Sequence, residues 1–228
     1  MSLSAKYWDE FYTKSVFQNG KEPTPFLREM LPRLQKGKVL DVGMGEGVNA
    51  VFLAKQGFSV KGFDVSRVAV ERAQALAAEN SVTIEGKQAD LDLFLFSLME
   101  YHSVIMTFFK PAIKRYYPEV IRSLKQGGTL LVESYLLDER KEIITADEAY
   151  RDYYFKPNEL LHELKGLRIL FYNEGFVAGR HVLQCVAQKP IDKDVAKYHA
   201  FDMGSGEGPK KDSSRELLEA MFKKKADS

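Results

Sequence analysis

Short apolar runs alternate with amphipathic stretches along most of the chain, and the alternation predicts repeated strand–helix–strand units. Val39, Leu40 and Val42 form a buried-strand run, and Asn49 to Gln56 carries apolar residues at helical spacing with Gly57 placed to end the helix. Phe58 to Phe63 predicts the next strand, with Asp64 just past it. Ser66 is placed as N-cap of an alanine-rich helix, RVAVERAQALAAEN. Val82 to Gln88 predicts a third, more polar strand, and Leu91 to Met99 (LDLFLFSLM) a short buried helix. Further on, Ser103 to Phe109 predicts a strand, Tyr116 to Leu124 a helix, Gln126-Gly127-Gly128 a turn and Thr129 to Tyr135 a fifth strand. Pro157-Asn158-Glu159 then caps a short helix, and Arg168 to Asn173 and Arg180 to Lys189 predict two strands around a turn over Glu174 to Gly179. Ahead of all this, Tyr7 to Lys14 and Pro23 to Leu34 predict helices, Thr24 capping the second before Pro25. Strands alternating with helices predict an α/β, doubly wound, Rossmann-like sheet with helices on both faces.

Composition narrows the function classes. With 228 residues and 45% hydrophobic content, one domain with a substantial core is expected. A net charge of +1 gives no global field to gather DNA or an anionic membrane, and no apolar run approaches a membrane span. The single cysteine, Cys185, excludes an internal disulfide and a cysteine metal cluster, and no metal site is expected. MSLSAKYWDEFY lacks a signal-peptide layout, so a cytoplasmic protein is expected. The composition shifts after Pro190, where GSGEGPKK reads as linker. The expected organisation is a domain over 1–190, with 1–36 as a helical arm, and a partly flexible polar extension over 191–228.

The chemistry concentrates in KVLDVGMGEGVNAVFLAKQGFSVKGFDVS, from Lys38 to Ser66. Gly43, Gly45 and Gly47 let the backbone turn sharply and a ligand lie on the main chain. Val48 stands where a dinucleotide fingerprint would have its third glycine, and no Lys-Ser/Thr pair marks a P-loop. Asp41, inside the motif, is unwelcome beside a pyrophosphate and suits a ligand with a cationic ammonium and sulfonium, S-adenosylmethionine. Asp64 sits where an open α/β sheet holds a ribose through its hydroxyls.

VLDVGMGEG resembles motif I of the class I methyltransferases, and FDVS the segment that follows it. The resemblance implies a seven-stranded sheet, mostly parallel with one antiparallel strand, and methyl transfer from S-adenosylmethionine. It places Asp41 near the methionine amine, Gly43, Gly45, Gly47 and Asn49 along the backbone platform, Asp64 with Val65 at the ribose, and Asp90 with Leu91 at the adenine. The W-D-x-x-Y pattern of Trp8 and Tyr12, with PNELLHELKGLRILFYNE, is similar to the tellurite-resistance-type group, in which an N-terminal arm closes the site; aromatic faces suit a sulfonium. Met44 and Val48 depart from that group's usual residues.

Thr107 is expected at the cofactor, and Lys110, Tyr135 and Tyr154 on the substrate side, because ligands sit outside the carboxyl ends of strands. Arg140, Arg151, Tyr150 and Tyr153 are further substrate-side candidates in the polar stretch 136–156. Glu133 is expected as a buried salt-bridge partner, with a catalytic carboxylate as the lesser alternative, and His102 as a strand-end residue rather than a base. TFFK after the fourth strand lacks the [DNS]-P-P-[YF] of nucleic-acid amino methylation, and no catalytic base stands out. The reading is methyl transfer by in-line displacement to a small-molecule substrate, by a monomer or homodimer. The alternatives are an enzyme acting on a protein or RNA, and a non-catalytic S-adenosylmethionine-binding protein.

Overall fold

The computed structural model describes residues 4–14, 16–17, 20–90, 94–111, 115–137 and 154–191. Seven strands form one sheet: β1 (Lys38–Val42), β2 (Ser59–Asp64), β3 (Ile84–Gln88), β4 (Tyr101–Thr107), β5 (Leu124–Tyr135), β6 (Arg168–Val177) and β7 (Arg180–Gln188). Their order is β3-β2-β1-β4-β5-β7-β6, with β7 antiparallel to both neighbours and the other pairs parallel. This is the Rossmann-like arrangement expected, with one reversed strand. The order changes direction between β1 and β4, so the crevice at their carboxyl ends is where a ligand of such a sheet sits.

Among the described residues six α-helices accompany the sheet: α1 (Ala5–Lys14), α2 (Pro25–Met30), α3 (Val48–Lys55), α4 (Arg67–Glu79), α5 (Tyr116–Ser123) and α6 (Glu159–Glu163). Side chains alternate across a strand, so each central strand feeds two cores. Val39, Ile105, Leu131 and Val186 pack with Leu27 of α2 and Leu53 of α3. Leu40, Val104, Val132 and Cys185 pack on the opposite face with Val120 of α5 and Leu160 of α6. The caps follow the chemistry of the sequence: Thr24 Oγ1 accepts from Leu27 N and Ser66 Oγ from Ala69 N.

Several expectations need correcting. The helix expected over 23–34 is α2 followed by a 3₁₀ turn, Leu31–Arg33, because Pro32 cannot donate into a continuing helix. Asp64 is the last residue of β2, not one beyond it. No helix occurs among the described residues of 91–99. Phe94 stacks on Phe63 at 4.0 Å, while Leu95 and Leu98 are 90% and 72% exposed and so offer no apolar face for a helix to bury. The glycine turn over 126–128 lies within β5 as a bulge: Gly127 takes a φ of 73° and the register with β4 shifts there, while Gly127 N and Gly128 O pair with the Lys189 backbone. The hairpin loop is Ala178-Gly179 alone; φ values of 47° and 80° give a two-residue turn that lets β6 run on to Val177.

Candidate functional site

β1 delivers the chain to the carboxyl edge at Val42, and the glycine bend follows. Met44 N donates to Phe63 O and Gly47 N to Met44 O, both at 3.0 Å, which ties the bend to β2. The three glycines do different work. A Cβ on Gly43 would meet the Phe109 ring at 2.7 Å, and one on Gly45 the Tyr12 hydroxyl at 2.9 Å. These two leave bare main chain beneath aromatic side chains. Gly47 is a packing glycine, since a Cβ there would meet the Ala73 Cβ of α4 at 2.5 Å.

Two carboxylates flank the bend in contrasting company. Asp64 is buried and fully engaged: Oδ2 accepts from Gly45 N at 3.0 Å and Oδ1 from Ser66 N at 2.9 Å. Its carboxyl is pushed up to about 6 by burial, against the pull of those amides. Asp41 has no solvent exposure, and neither of its oxygens has a hydrogen-bond partner. Burial, and then the charge of Asp64, push it up to about 8. A buried carboxyl without partners stays protonated unless a cation reaches it.

The arm α1 is fastened across the bend. Asp9 Oδ1 accepts from Ser66 Oγ at 2.6 Å and from Val68 N at 3.3 Å, and the Ser66 hydroxyl holds the Asp9 carboxyl below its usual range. Arg72 Nη1 donates to the Tyr12 carbonyl and to Glu46 Oε1, the latter at 2.8 Å, and Phe17 N donates to the same oxygen at 2.9 Å. Trp8 and Tyr12 lie side by side, ring centroids 6.1 Å apart. Asp9, Glu46 and Arg72 were not singled out from the sequence. Asp9 lies within the W-D-x-x-Y pattern and Glu46 within the glycine motif, but the partner connecting them comes from α4.

At the far end, Val65 is half-buried and its carbonyl accepts from Gln88 Nε2 at 3.2 Å. Asp90 is exposed and borders a cavity of about 420 Å³ with Lys61, Lys87 and Phe94. Leu91 lies outside the described residues, as do Arg140, Tyr150, Arg151, Tyr153 and all of the expected extension beyond Ile191.

The carboxyl ends of β4 and β5 carry a polar chain. Thr24 N donates to Asn49 Oδ1 at 3.0 Å, and Asn49 Nδ2 to Thr107 Oγ1 at 2.9 Å. Thr107 pairs in register with Glu133, which is 5% exposed. The partner of Glu133 is not the expected ion: Gln184 Nε2 donates to its Oε1 at 2.8 Å, while Oε2 is buried with no partner. The antiparallel pairing of β5 with β7, which sets Gln184 opposite Glu133, supplies a neutral amide where a cation was expected. Beyond it, Tyr135 stacks on Tyr154 at 5.1 Å and meets Phe108 at 4.8 Å. Lys110 is committed, donating to Glu159 Oε2 and the Tyr154 carbonyl at 2.8 Å each. His102 lies inside β4, its Nδ1 accepting from Lys38 N at 3.0 Å. Cys185 is core, its thiol pushed up to about 12 by burial.

The bend therefore fits a cationic ligand laid on bare main chain: an orphaned buried carboxylate lies beneath it and aromatic rings above. Among the described residues no group of three or more His, Cys, Asp or Glu could hold a metal ion, and no helix is long and apolar enough to cross a membrane.

Known proteins agree with this architecture. Residues 39–128 match the family described as Methyltransferase domain. The ribosomal protein L11 methyltransferase of Dictyoglomus thermophilum is 33% identical over 133 residues, which cover 57% of this chain and 43% of that protein; the match thus spans less than half of that relative's length. In fold, the chain superposes on TehB from Haemophilus influenzae with a TM-score of 0.64 at 18% identity, over 80% of this chain and 67% of that one. It also superposes on the structure described as conversion of a disulfide bond into a thioacetal group during echinomycin biosynthesis, with a TM-score of 0.66 at 18% identity, over 90% and 99%. Glycine motif, strand order and family match converge on one statement: residues 39–128 belong to a methyltransferase domain, of the class I kind that depends on S-adenosylmethionine.

Proposed function

We propose that this chain transfers a methyl group from S-adenosylmethionine to a small-molecule acceptor. The observation that carries the cofactor assignment is Asp41, whose two buried oxygens have no partner in the fold. In this reading Asp41 meets the cofactor's ammonium, the bare backbone of Gly43 and Gly45 supports its methionine part, and Asp64 steadies the bend while facing the ribose. Asn49 and Thr107 line the passage to the acceptor, Val65 lies beside the ribose, and Asp90 and Leu91 serve the adenine. Trp8 and Tyr12 cover the bend and exclude water. When bound, the cofactor supplies a methyl group on a positively charged sulfur. The chain's own work is to align the acceptor with that methyl and keep it dry, and proximity of this kind is worth several kcal/mol.

A small acceptor is supported by the arm: α1 lies fastened across the bend by Asp9 and Arg72, leaving a covered site. A second reading, a macromolecular acceptor, is favoured by the sequence likeness to a ribosomal protein methyltransferase. Calorimetry with S-adenosylmethionine, S-adenosylhomocysteine and NAD tests the cofactor; binding of NAD alone would end this reading. Incubation of cell extract with methyl-labelled S-adenosylmethionine then separates the acceptors. Label in the low-molecular-weight fraction is expected. Label in protein or RNA would favour the second reading, and cofactor binding without any transfer a non-catalytic role.

A further inference from the structure

We propose that the acceptor is a small primary or secondary amine, and that the free oxygen of Glu133 binds its ammonium and takes its proton. This rests on the methyltransferase reading and names the substrate class of the same site. The Glu133 side chain lies at the carboxyl end of β5, on the face that also carries Leu131 and Tyr135. It is 5% exposed, with Oε1 held by Gln184 and Oε2 buried without a partner. A buried carboxylate oxygen left unmatched is costly, so an absent cation is the natural complement. Asp41 is a second such group, on β1 with β4 between the two strands. The cofactor's ammonium answers Asp41; Glu133 is left for the other reactant.

The surroundings of Glu133 select for positive charge. At the strand end that carries Glu133, Tyr135 stacks on Tyr154 and meets Phe108 at a tilt, and aromatic faces attract an ammonium. Lys110, which would have recognised an oxyanion, is already paired with Glu159. The groups bearing on Glu133 are Gln184 and Arg180 from β7 and Thr24 from the cap of α2, with Thr107 opposite it on β4. Desolvation raises its carboxyl above the usual range, outweighing the pull of the Gln184 amide, the Thr24 hydroxyl and the Arg180 charge.

The step balances. The ammonium of the acceptor gives one proton to Glu133 Oε2 and becomes a neutral amine. Its nitrogen lone pair forms the new bond to the methyl carbon as the carbon–sulfur bond breaks, that electron pair staying on sulfur. The products are an N-methylammonium, a neutral thioether and a protonated Glu133, which returns its proton to solvent.

Titration of the full chain saturated with S-adenosylhomocysteine tests this with two probes of one shape, phenethylamine and 2-phenylethanol. The amine is expected to bind at least tenfold more tightly than the alcohol. Glu133→Gln is expected to weaken the amine at least tenfold, with S-adenosylhomocysteine affinity within twofold. Equal binding of the two probes to the unmodified chain, or amine binding indifferent to Glu133→Gln, overturns the proposal. So does a loss in Glu133→Gln that falls on the cofactor product and not on the amine. The probe comparison needs no variant and stands even if Glu133→Gln misfolds. Failure of S-adenosylhomocysteine itself to bind would overturn the methyltransferase reading first; its binding with no preference for the amine overturns the acceptor assignment alone.

Discussion

The two halves of the sheet's carboxyl edge are built from differently spaced residues. Over β1 and β2, the bend and its carboxylates come from positions 41 to 66; Asp64 closes its contacts within this stretch, on Gly45 and Ser66, while Asp9, Phe17 and Arg72 reach in from outside to Ser66 and Glu46. Over β4 and β5, the polar chain collects Thr24, Asn49, Thr107, Glu133 and Gln184, and the aromatic wall adds Phe108, Tyr135 and Tyr154. The first half is built on one contiguous glycine-rich stretch. The second is a tertiary assembly, and loops at such an edge are where specificity is free to vary. Within the first half a further contrast holds: Asp64 is saturated by backbone amides, whereas both oxygens of Asp41 are buried without a hydrogen-bond partner.

That contrast can be broken by substitution. Asp64→Ala should have the largest effect, because it leaves the buried amides of Gly45 and Ser66 without acceptors at about 1–3 kcal/mol each. A lowered thermal midpoint without ligand is expected, and an unchanged midpoint would show that the bend does not need its anchor. Asp41→Asn should behave oppositely. It removes a buried carboxyl that has no partner, so the ligand-free midpoint holds or rises, while S-adenosylmethionine affinity measured at pH 8 falls by about 2–3 kcal/mol, the worth of a hydrogen bond to a charged group.

The pH dependence should be smaller. Folded Asp41 keeps its proton up to about pH 8, whereas an unfolded aspartate releases it near 3.8. The contribution of Asp41 to the ligand-free fold is therefore fully present below that lower value and is lost as pH rises through about 8. A cation at Asp41 favours the ionised form, so cofactor affinity should rise across the same window, by at most about 1.4 kcal/mol per pH unit. Calorimetry in buffers of different ionisation heat should register the released proton, and heats independent of buffer would place the charge elsewhere.

Lys110→Met should cost about 1 kcal/mol of stability, since its ion pair with Glu159 is only partly shielded, and should leave cofactor affinity alone. A specific loss of acceptor binding instead would return Lys110 to the substrate side. Tyr12→Phe should be the mildest change, removing a hydroxyl that touches the bend at Gly45 and weakening cofactor binding by about 0.5–1 kcal/mol.

The chain's own order determined the Rossmann-like sheet, its cofactor edge and the caps of α2 and α4, because apolar periodicity, glycine spacing and capping residues act within a few positions of each other. Asp41, the glycines and Asp64 were legible for that reason. What folding alone decided was the company each residue keeps. Gln184 meets Glu133 only because β7 runs antiparallel to β5, Arg72 reaches Tyr12 only because α1 lies against α4, and Lys110 is drawn to Glu159 from forty-nine residues away. Hydrogen bonds and ion pairs are satisfied in space rather than along the chain. The sequence therefore named Thr107 and Glu133 at the ends of β4 and β5, but not the partners they keep.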